Sequence, residues 1–220
     1  MRLLRIERVV TRRLVALASV ALLLAAACSP TLKGDAITPA RDIPTYEFTR
    51  ADGSRFSTGA TKDQLTVLFF GYTHCPDVCP ITLADWKRVH GKLGSDTNHV
   101  RFVFVSIDPE RDTPAIAQHY VAGFEPSFIG LAGDAVTTAR MVKAFGVAVI
   151  PDNAGAQQPN PVPMPGPSMS NMAHQHGADT TKLIGHSSQA FLLNEKGQLI
   201  AMYAPGSGWQ TLLADLQALL

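Results

Sequence analysis

The run Leu65-Thr66-Val67-Leu68-Phe69-Phe70 is almost wholly apolar and stops at Gly71; Leu83, Trp86, Val89 and Leu93 then recur at helical spacing. A short run without polar alternation predicts a strand covered on both faces, and such a strand needs helices packed against its sheet. Val100 to Ile107 repeats the pattern, rich in β-branched and aromatic residues. Thr113-Pro114 predicts a helix start, with threonine as N-cap and proline in the first turn. Ser127 to Leu131 reads as a short strand. Asp134 caps a helix in which Val136, Ala139, Val142 and Phe145 recur and which Gly146 ends, and Val147 to Ile150 is a further short strand.

Later, Gln189 to Leu193 and Gln198 to Tyr203 read as strands joined by a turn at Asn194 to Gly197. The closing helix carries an apolar stripe of Trp209, Leu212, Leu213, Leu216 and Leu219, and Ser207 with Gln210 has capping-box spacing. Upstream, Tyr46 to Thr49 and Arg55 to Ser57 flank Asp52-Gly53, a hairpin signal. Alternating strands and helices that end in a hairpin and a helix give an α/β layered domain, placed at residues 43–220.

The start of the chain has a different character. Arg2, Arg5, Arg8, Arg12 and Arg13 precede the uncharged run Leu14 to Ala27, too short to span a bilayer as a helix, so residues 1–27 read as an export signal. Ala25, Ala26 and Ala27 lead into Cys28, as in a lipobox whose cysteine is acylated, with Ala25 standing where leucine is usual. Residues 28–42, small and polar with Pro30 and Pro39, are expected to be a flexible tether. This predicts a lipoprotein of the bacterial cell envelope, held on a membrane and facing the periplasm or the cell exterior. Without the leader the formal charge falls from +1 to about −3, which leaves no basic face for a nucleic acid.

An acylated Cys28 leaves Cys75 and Cys79 as the only free thiols, within Gly71-Tyr72-Thr73-His74-Cys75-Pro76-Asp77-Val78-Cys79-Pro80. A bond closing so short a loop constrains the unfolded chain little, so the pair is expected to serve metal or redox chemistry. Cysteines four apart at a strand-to-helix junction can turn both sulfurs to one point, and the helix N-terminus is expected to favour thiolates. His186, in Gly185-His186-Ser187-Ser188, sits at the mouth of a strand; it reads either as an ordinary surface or core histidine or as a third ligand. Two thiolates and an imidazole form a soft, low-coordinate set suited to copper. Asp108 ends the second buried strand, where α/β sheets place their sites, and can serve as a group behind the metal ligands or as a turn residue before Pro109. Arg111 with Asp112 reads as an ion pair at a helix start.

Taken together, Gly71 to Pro80, Ser106 to Pro114 and Gly185 to Leu193 resemble the Sco/SenC family of copper chaperones. The resemblance implies a thioredoxin-like fold, with a central mixed sheet flanked by helices and an N-terminal hairpin extension. It implies copper, as Cu(I), Cu(II) or both, held by Cys75, Cys79 and His186. It also implies a role in assembling the dinuclear copper centre of cytochrome c oxidase, with the oxidase subunit carrying that centre and other periplasmic copper carriers as partners. The resemblance implies that this work is done by copper delivery, thiol reduction or both; the alternative is an enzyme, a thioredoxin-like thiol–disulfide oxidoreductase using the same two cysteines. The departure from the family is the long loop 151–180, where Met164, Met169, Met172, His174 and His176 offer thioether and imidazole donors for an auxiliary copper site.

Overall fold

The computed structural model describes residues 31–150 and 184–220. The export signal, Cys28 and the methionine- and histidine-rich loop lie outside the described residues. A sheet of six strands in the order β1-β10-β9-β4-β5-β6 forms the middle layer. Its strands are β1 (Asp35–Asp42), β4 (Leu65–Gly71), β5 (Val100–Ser106), β6 (Ile129–Leu131), β9 (Ala190–Leu193) and β10 (Gln198–Tyr203). The sheet is mixed: β4 runs parallel to β5 and antiparallel to β9. Four α-helices are described, α1 (Val78–Leu93), α2 (Pro114–Ala122), α3 (Ala135–Phe145) and α4 (Trp209–Leu219), with a 3-10 turn at Gly94–His99. The expected hairpin is β2 (Glu47–Thr49) with β3 (Arg55–Ser57), and β7 (Val149–Ile150) pairs with β8 (Gly185–His186).

Strand β4 is covered on both faces, as its composition predicts, with Val67, Leu68, Phe69 and Phe70 at 0% exposure. Alternation splits it between two cores. Val67 and Phe69 join Leu83, Trp86 and Val89 of α1 and Leu212 and Leu216 of α4. Leu68 and Phe70 join Met141, Val142 and Phe145 of α3 and the hairpin's Phe48 and Phe56. Each such side chain contributes on the order of 1.5–3 kcal/mol by burial. Asp134 caps α3 by accepting from the Val136 and Thr137 N–H groups, and Gly146 closes it with φ 72°, a left-handed turn that glycine adopts without strain.

Two expectations need correction. The domain does not begin near Ile43, because β1 occupies Asp35–Asp42 of the stretch read as tether and pairs along β10. This edge strand is mostly exposed and carries Pro39, so no apolar alternation betrays it. The closing helix also lacks its capping box. Gly208, at φ 78°, is the N-cap without a side-chain bond, while the Ser207 hydroxyl donates to the Ala204 carbonyl.

Asp215, buried in α4, ties the approach to β1 to the last helix. Its carboxylate accepts from the backbone N–H groups of Lys33 (2.7 Å) and Gly34 (2.9 Å) and from the Tyr203 hydroxyl (2.9 Å). Burial, helped by this carboxylate, pushes the Tyr203 phenol far above its ordinary value of 10.0. A folded-state pKa that is raised stabilises the fold below the unfolded value and ceases to do so as pH climbs above it. Stability should therefore fall as pH rises beyond about 10, the tyrosine reference value. Urea titrations between neutral and strongly alkaline pH should show a shallower decline for Tyr203→Phe than for the native chain.

Candidate metal centre

Parallel pairing sets the site. β4 and β5 lie in register with Gly71 beside Ser106, so the segments following both strands emerge at one end of the sheet. Gly71 is required there: a Cβ would stand 2.8 Å from the Cys79 sulfur and 2.7 Å from the Phe104 ring. After Gly71 the chain turns, the Cys75 N–H donating to the Tyr72 carbonyl (3.2 Å), and α1 opens at Val78. Cys79 is the second residue of that helix and wholly buried, whereas Cys75 is half-buried and touches both cores.

The two sulfurs do converge, within hydrogen-bond reach of each other. The expected thiolate does not follow for Cys79. Burial first, then the bond to Cys75, pushes its thiol strongly upward, and the Asp112 charge adds to this against an opposing contact from the Tyr72 backbone. At neutral pH the metal-free Cys79 is a thiol, because the loss of hydration outweighs the helix N-terminus.

The residue that fixes the loop is Asp112, which sequence reasoning had paired with Arg111. Its buried carboxylate accepts from the Thr73 N–H (3.0 Å), the Thr73 hydroxyl (2.6 Å) and the Ser106 hydroxyl (2.5 Å). The neighbouring His74, 47% exposed, holds its Nδ1 3.9 Å from the same carboxylate. Arg111 instead pairs with Asp108, and its guanidinium also lies 5.8 Å from the centre of the Tyr72 ring. Asp108 is buried at the sheet end expected of it, with its carboxylate engaged by Arg111. A hydroxyl-rich Thr73 and Ser106 facing a buried acid was the available signal, but it joins residues far apart in sequence.

His186 lies in β8, opposite Val149, and this short pair is bolted by Ser187, whose N–H donates to the Ala148 carbonyl (3.0 Å) and whose hydroxyl accepts from the Ala148 N–H (2.9 Å). Tyr72 links this strand to the cysteine loop: its hydroxyl accepts from the Ile184 N–H at 3.3 Å. The motif that holds both cysteines thus also holds the backbone two residues before the histidine. Among the described residues no three histidine, cysteine or acidic side chains are placed to hold one metal ion, and the His186 side chain is not among those described.

A family model described as SCO1/SenC matches residues 35–163, more than half of the 220 residues. The chain belongs to the SCO1/SenC family. A Stutzerimonas stutzeri protein named for copper binding is 38% identical over 112 residues, covering 50% of this chain and 55% of that one. The chain spans about half the length of the curated relatives it matches. The solution structure of apo Sco1 from Thermus thermophilus superposes with TM-score 0.67 at 31% identity, over 88% of this chain and 99% of that one. Bradyrhizobium japonicum ScoI, solved with copper bound, gives 0.63 at 28% identity, over 81% and 99% of the two chains. The fold is thus the thioredoxin-like α/β fold of Sco proteins, and the family includes copper-binding members.

Tyr72 and Asp112 should differ in how much of the domain's stability they carry. Tyr72→Phe removes one hydrogen bond and should cost about 0.5–1.5 kcal/mol. Asp112→Asn strips a charge from three donors and should destabilise the domain by about 1.5–3 kcal/mol. Urea unfolding of both variants checks this.

Proposed function

We propose that the chain is a copper metallochaperone that takes copper on the Cys75 and Cys79 sulfurs with His186 completing the set. It would serve assembly of the dinuclear copper centre of cytochrome c oxidase. The observation that carries the reading is the convergence of a buried and a half-buried sulfur at one end of the sheet. Thiolate and imidazole are soft to borderline donors, and copper is the first-row ion they favour most. The metal must displace the proton that burial keeps on Cys79, so uptake is coupled to proton release. Asp108 and Asp112 would act behind the ligands, one through Arg111 and the other through Thr73.

The donor set fits the metal that relatives are named for or were solved with, a Stutzerimonas stutzeri protein and Bradyrhizobium japonicum ScoI among them. Under this reading the partners are the oxidase subunit that carries the dinuclear centre and other periplasmic copper carriers. Cys28 carries the lipid that keeps the protein on the membrane. Met164, Met169, Met172, His174 and His176 add a weaker copper site, since closing a long segment on a metal sacrifices conformational entropy.

The thiol–disulfide oxidoreductase reading keeps one observation in its favour: half-buried Cys75 is open to attack while buried Cys79 stands ready to resolve. His186→Ala separates the two. A chaperone loses copper affinity in that variant, whereas a reductase retains thiol exchange and loses nothing. For the native reduced protein, one tightly bound copper with sulfur ligation by X-ray absorption is expected, and its absence would overturn the proposal. In a Cys75→Ser/Cys79→Ser background, deleting residues 160–177 should abolish the remaining weak copper binding.

A further inference from the structure

The chain joins the sheet at the same end from which the cysteine loop leaves it. Asp35 of β1 stands opposite Met202, Met202 opposite Phe191, and Phe191 opposite Leu68. Asp35 is therefore level with Leu68, three residues before Gly71, while Asp42, opposite Gln198, lies at the far end. Laterally, β1 is three strand spacings from β4, about 14 Å at roughly 4.8 Å each.

The approach to β1 is fixed as well. Leu32 packs on the core beneath α1 and α4, and the Lys33 and Gly34 N–H groups are held by buried Asp215. Gly34 passes so close to Tyr203 that a Cβ would stand 2.6 Å from its ring. Only four peptide links separate Leu32 from Cys28, and these reach about 14 Å even at full extension.

From this juxtaposition we infer that a lipid on Cys28 holds the domain with its cysteine-loop end turned toward the lipid surface. The surface laid nearest the headgroups is the turn 204–208 with Trp209 and Ile81. The inference rests on Cys28 being the acylated residue. The two ends of the domain differ in the way this orientation needs. At the near end the exposed turn Ala204-Pro205-Gly206-Ser207-Gly208 carries no charge, Trp209 is half-buried and Ile81 is 57% exposed. A tryptophan ring beside uncharged backbone suits the headgroup layer. Lys33, Asp35, Asp77 and Glu110 also stand exposed at this end, where their charges can reach the headgroup layer and its water. The far end exposes Lys62, Asp63, Asp96, Glu195 and Lys196. A tether reaching to Asp42 would have hung the domain by the far end, with the cysteines pointing away from the membrane. With β1 in the sheet, the site is offered to a client that presents its own metal-binding groups at the membrane surface.

The test uses the full mature chain, carrying its own lipid, in phosphatidylcholine nanodiscs doped with a gadolinium chelate on the headgroup. Amide signals of Ala204, Gly206, Ser207, Gly208, Trp209, Ile81, Thr82 and residues 31–34 should broaden away, while those of 94–98 and 195–197 keep their intensity. A Gly-Ser spacer inserted between Pro30 and Thr31 should erase the difference between the ends. Equal broadening at both ends of the native chain, or the reverse pattern, overturns the inference. Mass spectrometry of the same sample overturns it too if Cys28 carries no acyl group. Copper stoichiometry measured on that sample bears on the proposed function alone, so the two failures are distinguishable.

Discussion

Two buried strands running side by side in the same direction are the constraint on which this molecule's chemistry depends. Because β4 and β5 are parallel and in register, the segments that follow them have to emerge together. One segment carries Thr73 and Cys75 and the other carries Asp108 and Asp112, so residues 39 positions apart, Thr73 and Asp112, become partners without any local signal for it. Asp112 then closes the gap by accepting from Thr73 on one side and Ser106 on the other. A carboxylate buried this deeply is tolerated only because its oxygens are supplied with donors.

The same packing that assembles the pair of sulfurs also keeps one of them protonated. Gly71 lacks the side chain that would push Cys79 aside, and the aromatic rings of Phe69 and Phe104 crowd the same space. Water is excluded, and a charged sulfur without a cation is disfavoured there. A bound cation reverses that balance, since it supplies the charge that the surroundings lack. Buried Cys79 is thereby held back until a cation arrives, and Cys75, the more open of the two, is where an incoming metal or thiol makes first contact.

Much of this was legible in the sequence because burial on both faces leaves an unmistakable apolar run, and β4, β5, α1 and α3 follow it closely. The cysteine motif was legible because its residues are contiguous. What escaped did so for physical reasons. Strand β1 is an exposed edge with polar residues and Pro39, so it owes its place to pairing with β10 rather than to its own composition. Tyr72 reads as one more aromatic residue until the backbone of Ile184 is found to donate to its hydroxyl. Arg111 lies next to Asp112 in sequence, yet the turn directs its guanidinium back to Asp108, three residues earlier. Ser207 has the spacing of a capping residue, but the left-handed Gly208 that follows carries the helix start past it.

The two-residue ladder between β7 and β8 closes the chain at Ile150 and Gly185, so everything from 151 to 184 is bracketed at its base. Closing a loop depends only weakly on its length, each doubling adding about 0.6 kcal/mol. An insertion at this point can therefore lengthen, shrink or change composition over evolutionary time while the register of Val149 with His186 stays as it is. The strand that bears the histidine is thereby insulated from whatever lies between, and the frame beside the cysteine loop does not depend on what that stretch contains.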